Sequence, residues 1–248
     1  MNHNTAVVLL HAFPLDATMW EDQRAFLEDR GGHVLALNLP GFGGRPLVEG
    51  GLDAFADSVI AECDARGIER AVFVGLSMGG YVAMRIADRY PSRIRGLVLA
   101  DTRAGPDDDA GRKKRSAQAA RARTEGCGWL AEAMLPALLG ETSRQERLQV
   151  VKRVQAIIDR ADGKGVARAL EAMRERPDSL AALAAIEAPI LTIAGDEDKL
   201  TPPAEAERIT AAARNGSMVV IPKAGHLSNL ECPGPFNEAL DAFLRELR

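Results

Sequence analysis

The sequence predicts an α/β protein: a mostly parallel sheet of about six strands, flanked by helices, with an all-helical insertion. Three observations point there. Short apolar, β-rich runs recur at residues 6–10, 33–37, 71–74, 96–100, 189–194 and 217–221, as strands buried in a sheet require. Segments of helical period lie between most of them, and strands alternating with helices build a parallel sheet through right-handed crossovers. The stretch 107–183 breaks the alternation, because it has helical pattern and no strand-like run.

Taken in order, the runs 6–10 and 33–37 are the first two strands. The amphipathic segment 52–66 follows, with Leu52, Phe55, Ala56, Val59 and Ile60 on one face and Asp53, Asp57, Glu62, Asp64 and Arg66 mostly elsewhere. The third run leads straight into Gly75-Leu76-Ser77-Met78-Gly79-Gly80. In a G-x-S-x-G turn the serine sits at a sharp strand-to-helix corner, and the glycines let neighbouring backbone approach. The fourth run ends at Ala100-Asp101, so the insertion after it lies over the carboxyl edge where Ser77 emerges. This divides the chain into a core of residues 1–106 and 184–248 and a helical cap of residues 107–183. Glycines and prolines such as Gly126, Pro136, Gly140 and Gly163 punctuate that cap. Trp129, Leu130, Met134, Leu135 and Leu138 form an apolar helix face that can roof a pocket. Arg112-Lys113-Lys114-Arg115, with Arg121 and Arg123, reads as a solvated helix face beside Asp107-Asp108-Asp109.

With 248 residues and 46% hydrophobic composition, the chain can bury one large domain plus an insertion. A net charge of −4 gives no field for phosphate backbones, so no nucleic acid partner is expected. No apolar run is long enough to cross a bilayer, and Met1-Asn2-His3-Asn4-Thr5 lacks a charged region ahead of an apolar segment. A cytoplasmic protein that does not engage membranes is the expectation. Cys63, Cys127 and Cys232 are odd in number and widely spaced, which favours buried free thiols over a disulfide framework. Four histidines without paired spacing leave a metal centre unsupported.

A serine hydroxyl needs a base to take its proton and a carboxylate to orient that base. His226, in Lys223-Ala224-Gly225-His226-Leu227 just past the last strand, is the best base. His3 lies at a terminus and His33 at a strand start, and His11 reads as a structural brace. Gly195-Asp196-Glu197-Asp198-Lys199 supplies the carboxylate, with Asp198 the choice and Asp196 the reserve. The order Ser77, Asp198, His226 is the chain order of one known triad architecture. An oxyanion also needs donors: the backbone N–H of Met78 is one, and the Phe13 N–H in the loop after the first strand is the other. Ala12, Trp129, Met134 and Leu138 are the expected pocket residues.

Together, Leu9-Leu10-His11-Ala12-Phe13-Pro14-Leu15-Asp16, Leu39-Pro40-Gly41-Phe42-Gly43, the Ser77 turn, the acidic loop and Gly225-His226-Leu227-Ser228-Asn229-Leu230-Glu231 resemble the α/β-hydrolase fold superfamily along nearly the whole chain. The last segment and Leu99-Ala100-Asp101-Thr102 look most like its 3-oxoadipate enol-lactonase-like and small-esterase branch. The resemblance implies a serine triad, a helical cap and no cofactor. Its G-x-x-D-x-x-x-P pattern selects Asp198, three residues after Gly195. Three departures stand out: Ala12 replaces the usual glycine and is expected to narrow the site, Asn38 replaces a common aspartate, and the leading antiparallel hairpin is absent or very short. Six strands rather than eight, with an edge near residues 33–37, then follow.

The expected activity is hydrolysis of a small carboxylic ester or lactone through an acyl-enzyme. C–C bond hydrolysis or perhydrolysis on the same triad is the alternative, and a ligand sensor that retains the triad is a third reading. Dehalogenation calls for a carboxylate where Ser77 stands. The partner is a small-molecule substrate, with the chain a monomer or a homodimer.

Overall fold

Each apolar run becomes a strand of one sheet in the computed structural model, which describes residues 5–247. The strands are β1 (Ala6–Leu10), β2 (His33–Leu37), β3 (Ala71–Leu76), β4 (Ile94–Ala100), β5 (Ile190–Gly195) and β6 (Gly216–Ile221). Their order is β2-β1-β3-β4-β5-β6, and every neighbouring pair is parallel. The central strands β1, β3 and β5 are buried along their whole length, whereas β2 at one edge is largely half-exposed. Strand β4 starts earlier than its apolar run, because Ile94 pairs with Ala71 while Gly96 pairs with Val72. The extra residue, Arg95, sits in a bulge, and its charge hides the strand start from a hydrophobicity reading.

Helices flank the sheet. They are α1 (Glu21–Glu28), α2 (Leu52–Asp64), α3 (Met78–Arg89), then α4 (Asp109–Glu125), α5 (Leu130–Leu138), α6 (Glu141–Glu146), α7 (Leu148–Ile158), α8 (Gly163–Arg174) and α9 (Leu180–Ala185), and finally α10 (Pro203–Ala212), α11 (Ser228–Glu231) and α12 (Pro233–Glu246). Helix α1 packs on α12, while α2, α3, α9 and α10 pack in series. Leu52, Phe55, Ala56, Val59 and Ile60 are the buried face of α2, as their spacing requires.

Among the described residues no strand occurs between β4 and β5; the connection is helical, α4 to α9. Asp108 caps α4 by accepting from the Gly111 N–H at 2.7 Å, and Asp162 caps α8 through the Lys164 and Gly165 amides. Helices α4 and α8 pack along each other, and α5 and α6 pack on α7. Helix α9 spans the expected junction at 183/184 and rests on α3 and α10.

Asn38 ties two loops together: its side-chain oxygen accepts from the Ala17 N–H at 2.7 Å and its amide donates to the Gly43 carbonyl at 3.3 Å. An aspartate could not make the second bond. Cys63, Cys127 and Cys232 are free thiols, and burial pushes Cys63 up to about 11. Among the described residues no helix is long and apolar enough to cross a membrane.

Candidate active site

Parallel strands deliver all their carboxyl ends to one edge, and Ser77, Asp198 and His226 follow β3, β5 and β6 there. Ser77 holds φ 53° and ψ −111°, a strained corner between β3 and α3. The glycines explain how the corner closes. A Cβ on Gly75 would collide with the Gly79 carbonyl, and one on Gly79 would collide with the Leu10 carbonyl. Helix α3 therefore begins against the end of β1, with the Ser77 hydroxyl only partly buried.

The three side chains form one hydrogen-bonded line. His226 Nε2 lies 2.8 Å from Ser77 Oγ, and His226 Nδ1 lies 2.8 Å from Asp198 Oδ2. Asp198 is saturated with donors: its Oδ1 accepts from the Leu200 and Thr201 amides at 2.8 and 3.0 Å, and its Oδ2 from the Thr201 hydroxyl at 2.6 Å. Burial alone would push this carboxyl up, but the charge and hydrogen bond of His226 and the Thr201 bonds hold it below the ordinary aspartate range. The opposite balance acts on His226, where burial disfavours the imidazolium but Asp198 beside it raises the pKa above the ordinary value. Nδ1 thus donates to Asp198, leaving Nε2 to accept from Ser77.

Burial is the main influence on His11 and holds it down to about 4, so it stays neutral. It braces the loop after β1, accepting from the Leu39 N–H at 2.9 Å and contacting the Ala12 carbonyl at 2.9 Å. His33 lies exposed on β2, and His3 falls outside the described residues.

The Phe13 and Met78 amides donate to no protein acceptor among the described residues. Met78 opens α3, where amides have no partner within the helix. Phe13, Ser77 and His226 line one cavity of about 190 Å³, roofed by Met134, Leu138, Leu170 and Met173. Two expected pocket residues are elsewhere. Ala12 is fully buried with its N–H on Met19 Sδ, so its methyl packs into the core and does not narrow the cavity. Trp129 packs away from the cavity, its indole N–H on the Gly126 carbonyl and the Arg121 guanidinium 4.3 Å from its ring centre. The basic cluster of α4 is divided as well. Lys114 and Arg115 face the cavity, whereas Arg123 pairs with Glu171.

Several contributors had no role assigned from the sequence. Thr201 bonds Asp198 and lies 3.1 Å from His226 Nδ1. Glu231 is buried and accepts from the amides of Gly140, Gly225 and Leu227 at 2.9, 2.9 and 3.2 Å. It joins the link between α5 and α6 to the His226 loop. Glu197 does the same for the Asp198 loop by accepting from the Thr142 N–H at 2.9 Å. The His226 N–H donates to the Leu138 carbonyl at 3.1 Å. Among the described residues no group of three His, Cys, Asp or Glu side chains could hold a metal ion.

A family model described as Alpha/beta hydrolase family matches residues 7–239. The chain is 26% identical over 242 residues to 3-oxoadipate enol-lactonase 2 of Acinetobacter baylyi, spanning 97% of this chain and 88% of that one. A thermophilic esterase from Thermogutta terrifontis, solved with malate bound, superposes with a TM-score of 0.95 at 39% identity, covering 98% of this chain and 90% of that one. The enol-lactonase from Burkholderia xenovorans LB400 gives 0.90 at 28% identity, with coverage of 99% and 94%.

Proposed function

The chain belongs to the alpha/beta hydrolase family, and we propose that it is a serine hydrolase of small carboxylic esters or lactones. The observation that carries the reading is the unbroken line from Ser77 through His226 to Asp198, opening on a cavity. Ser77 Oγ attacks the acyl carbon while His226 Nε2 takes its proton. The carbonyl oxygen becomes an oxyanion facing the N–H groups of Phe13 and Met78. Asp198 steadies the imidazolium, which gives its proton to the departing alkoxide. Water then attacks the acyl-enzyme with His226 again as base, releasing the acid and Ser77. Because His226 works as a base only when neutral, its raised pKa places the acid limb of kcat/KM above about 6.5.

The cavity supports a small substrate, since about 190 Å³ is below the roughly 300–1,000 Å³ of pockets for drug-sized ligands. Its charge favours an acyl group bearing an acid. Asp107 is neutralised by Arg115 and by Arg176 at 2.7 Å, while Lys114 and Arg103 remain on the lining. The malate in the Thermogutta terrifontis esterase agrees with that preference.

Treating the protein with a fluorophosphonate and mapping the adduct tests the assignment. Phosphonylation of Ser77, with Ser77→Ala lowering turnover of a short p-nitrophenyl ester by about five powers of ten, supports it. A pure, folded Ser77→Ala protein that turns over at the wild-type rate overturns it.

A further inference from the structure

Asp101 ends β4 as Ser77 ends β3, and both adopt left-handed backbone, with φ of 43° and 53°. Strain of this kind persists where surrounding contacts over-determine it, and Asp101 has such contacts. Its carboxyl is buried, 1% exposed. One oxygen accepts from the Gly195 N–H at 2.9 Å; the other accepts from the N–H and hydroxyl of Ser228 at 3.2 and 2.5 Å. Gly195 opens the loop that bears Asp198, and Ser228 lies just beyond His226. The same corner grips Ser77 from both sides of its backbone. The Ala100 carbonyl accepts from the Ser77 N–H at 2.9 Å, and the Thr102 hydroxyl donates to the Ser77 carbonyl at 2.9 Å. Residues 100–102 therefore touch all three loops of the hydrogen-bonded line.

We propose that Asp101 is a positioning residue, a second buried carboxyl that registers the Asp198 and His226 loops against the corner beside Ser77 and tunes the proton affinity of His226. This rests on the serine-hydrolase reading. The charged groups facing this cluster are Asp198 from the loop after β5, His226 from the loop after β6 and Arg103 from the loop after β4. Burial first, and then the Asp198 charge, push Asp101 up to about 8, against His226 and the hydrogen bonds from Ser228 and Gly195. Asp101 is thus protonated near neutrality. As it ionises, its charge favours the imidazolium that His226 becomes on taking the Ser77 proton.

The test compares wild type with Asp101→Asn, a near-isosteric change that cannot ionise and that replaces one of two acceptor oxygens with a donor. Thermal melting first establishes that the variant is folded. Above about pH 8, where Asp101 is ionised, the expected results are a kcat about tenfold lower on a p-nitrophenyl ester with little change in KM, and phosphonylation of Ser77 slowed by a similar factor. Wild-type kcat/KM is expected to rise through an inflection near pH 8, and Asp101→Asn to lack it. Wild-type phosphonylation rates, or a lowered kcat with the inflection retained, would overturn the proposal. If Asp101→Asn does not fold, Ser228→Ala serves in its place. A shifted inflection then supports the role, and a profile identical to wild type rejects it. Failure of wild type to be phosphonylated at Ser77 would instead fault the underlying serine-hydrolase reading.

Discussion

At the carboxyl edge of the sheet, Ser77, Asp198 and His226 stand at strand ends and are joined by hydrogen bonds of 2.8 Å. Across the cavity, the segment from α4 to α8 presents Met134, Leu138, Leu170 and Met173, apolar side chains whose one hydrogen bond among the described residues is the long contact, 3.5 Å, from Arg115 to the Met173 sulfur. Backbone corners and buried polar contacts fix the first region, so its geometry tolerates few residue types. The second is fixed by packing, which many apolar combinations satisfy. On the serine-hydrolase reading, reaction chemistry then belongs to the edge, and substrate choice to the roof.

The strongest way to break this division is Asp198→Asn. Without that carboxylate the imidazole loses its orientation, and kcat should fall by about four powers of ten with the melting temperature little changed. The sign of the pH effect follows: Asp198 raises the pKa of His226, so its loss moves the acid limb of kcat/KM to lower pH. An acid limb that stays in place would separate His226 from Asp198.

Glu231→Gln probes the seam between the regions. The carboxylate accepts three backbone N–H groups, and an amide turns donors toward some of them, so unfolding free energy should drop by about 3 kcal/mol in denaturant titrations. A concurrent loss of kcat is expected, because Gly225 and Leu227 flank His226. Lost stability with full kcat would show that the roof and the edge work independently.

The smallest expected effect sharpens the roof's part. Lys114→Met should raise KM for a succinate half-ester by about tenfold while leaving a neutral acetyl ester within about twofold. Equal effects on both esters would remove charge from the account of selectivity.

What was legible in the sequence follows the same divide. Ser77, Asp198 and His226 announce themselves because strand-end turns demand particular residues at short spacing. The six apolar runs gave the sheet, apart from strand starts such as Ile94, where the bulged Arg95 masks the pattern. Asp101 and Glu231 stood in segments that carry the family resemblance, and Thr201 lay beside the acidic loop, but none had a legible role, since their partners are backbone amides or side chains on other loops that no sequence pattern records. Trp129 was misplaced for a different reason. Its spacing fits an apolar face, but which way that face turns depends on how α5 rests on α7. The rotation of α4 likewise decides that Lys114 looks inward while its neighbour Lys113 does not line the cavity.

The bond from the His226 N–H to the Leu138 carbonyl has a mechanical consequence. A roof fastened there, and at Gly140 and Thr142 through Glu231 and Glu197, cannot lift along that side without pulling on the loop that holds His226 beside Ser77. On the proposed serine-hydrolase reading, substrate and product then pass at the opposite rim, where exposed Lys114 on α4 lines the cavity away from these bonds.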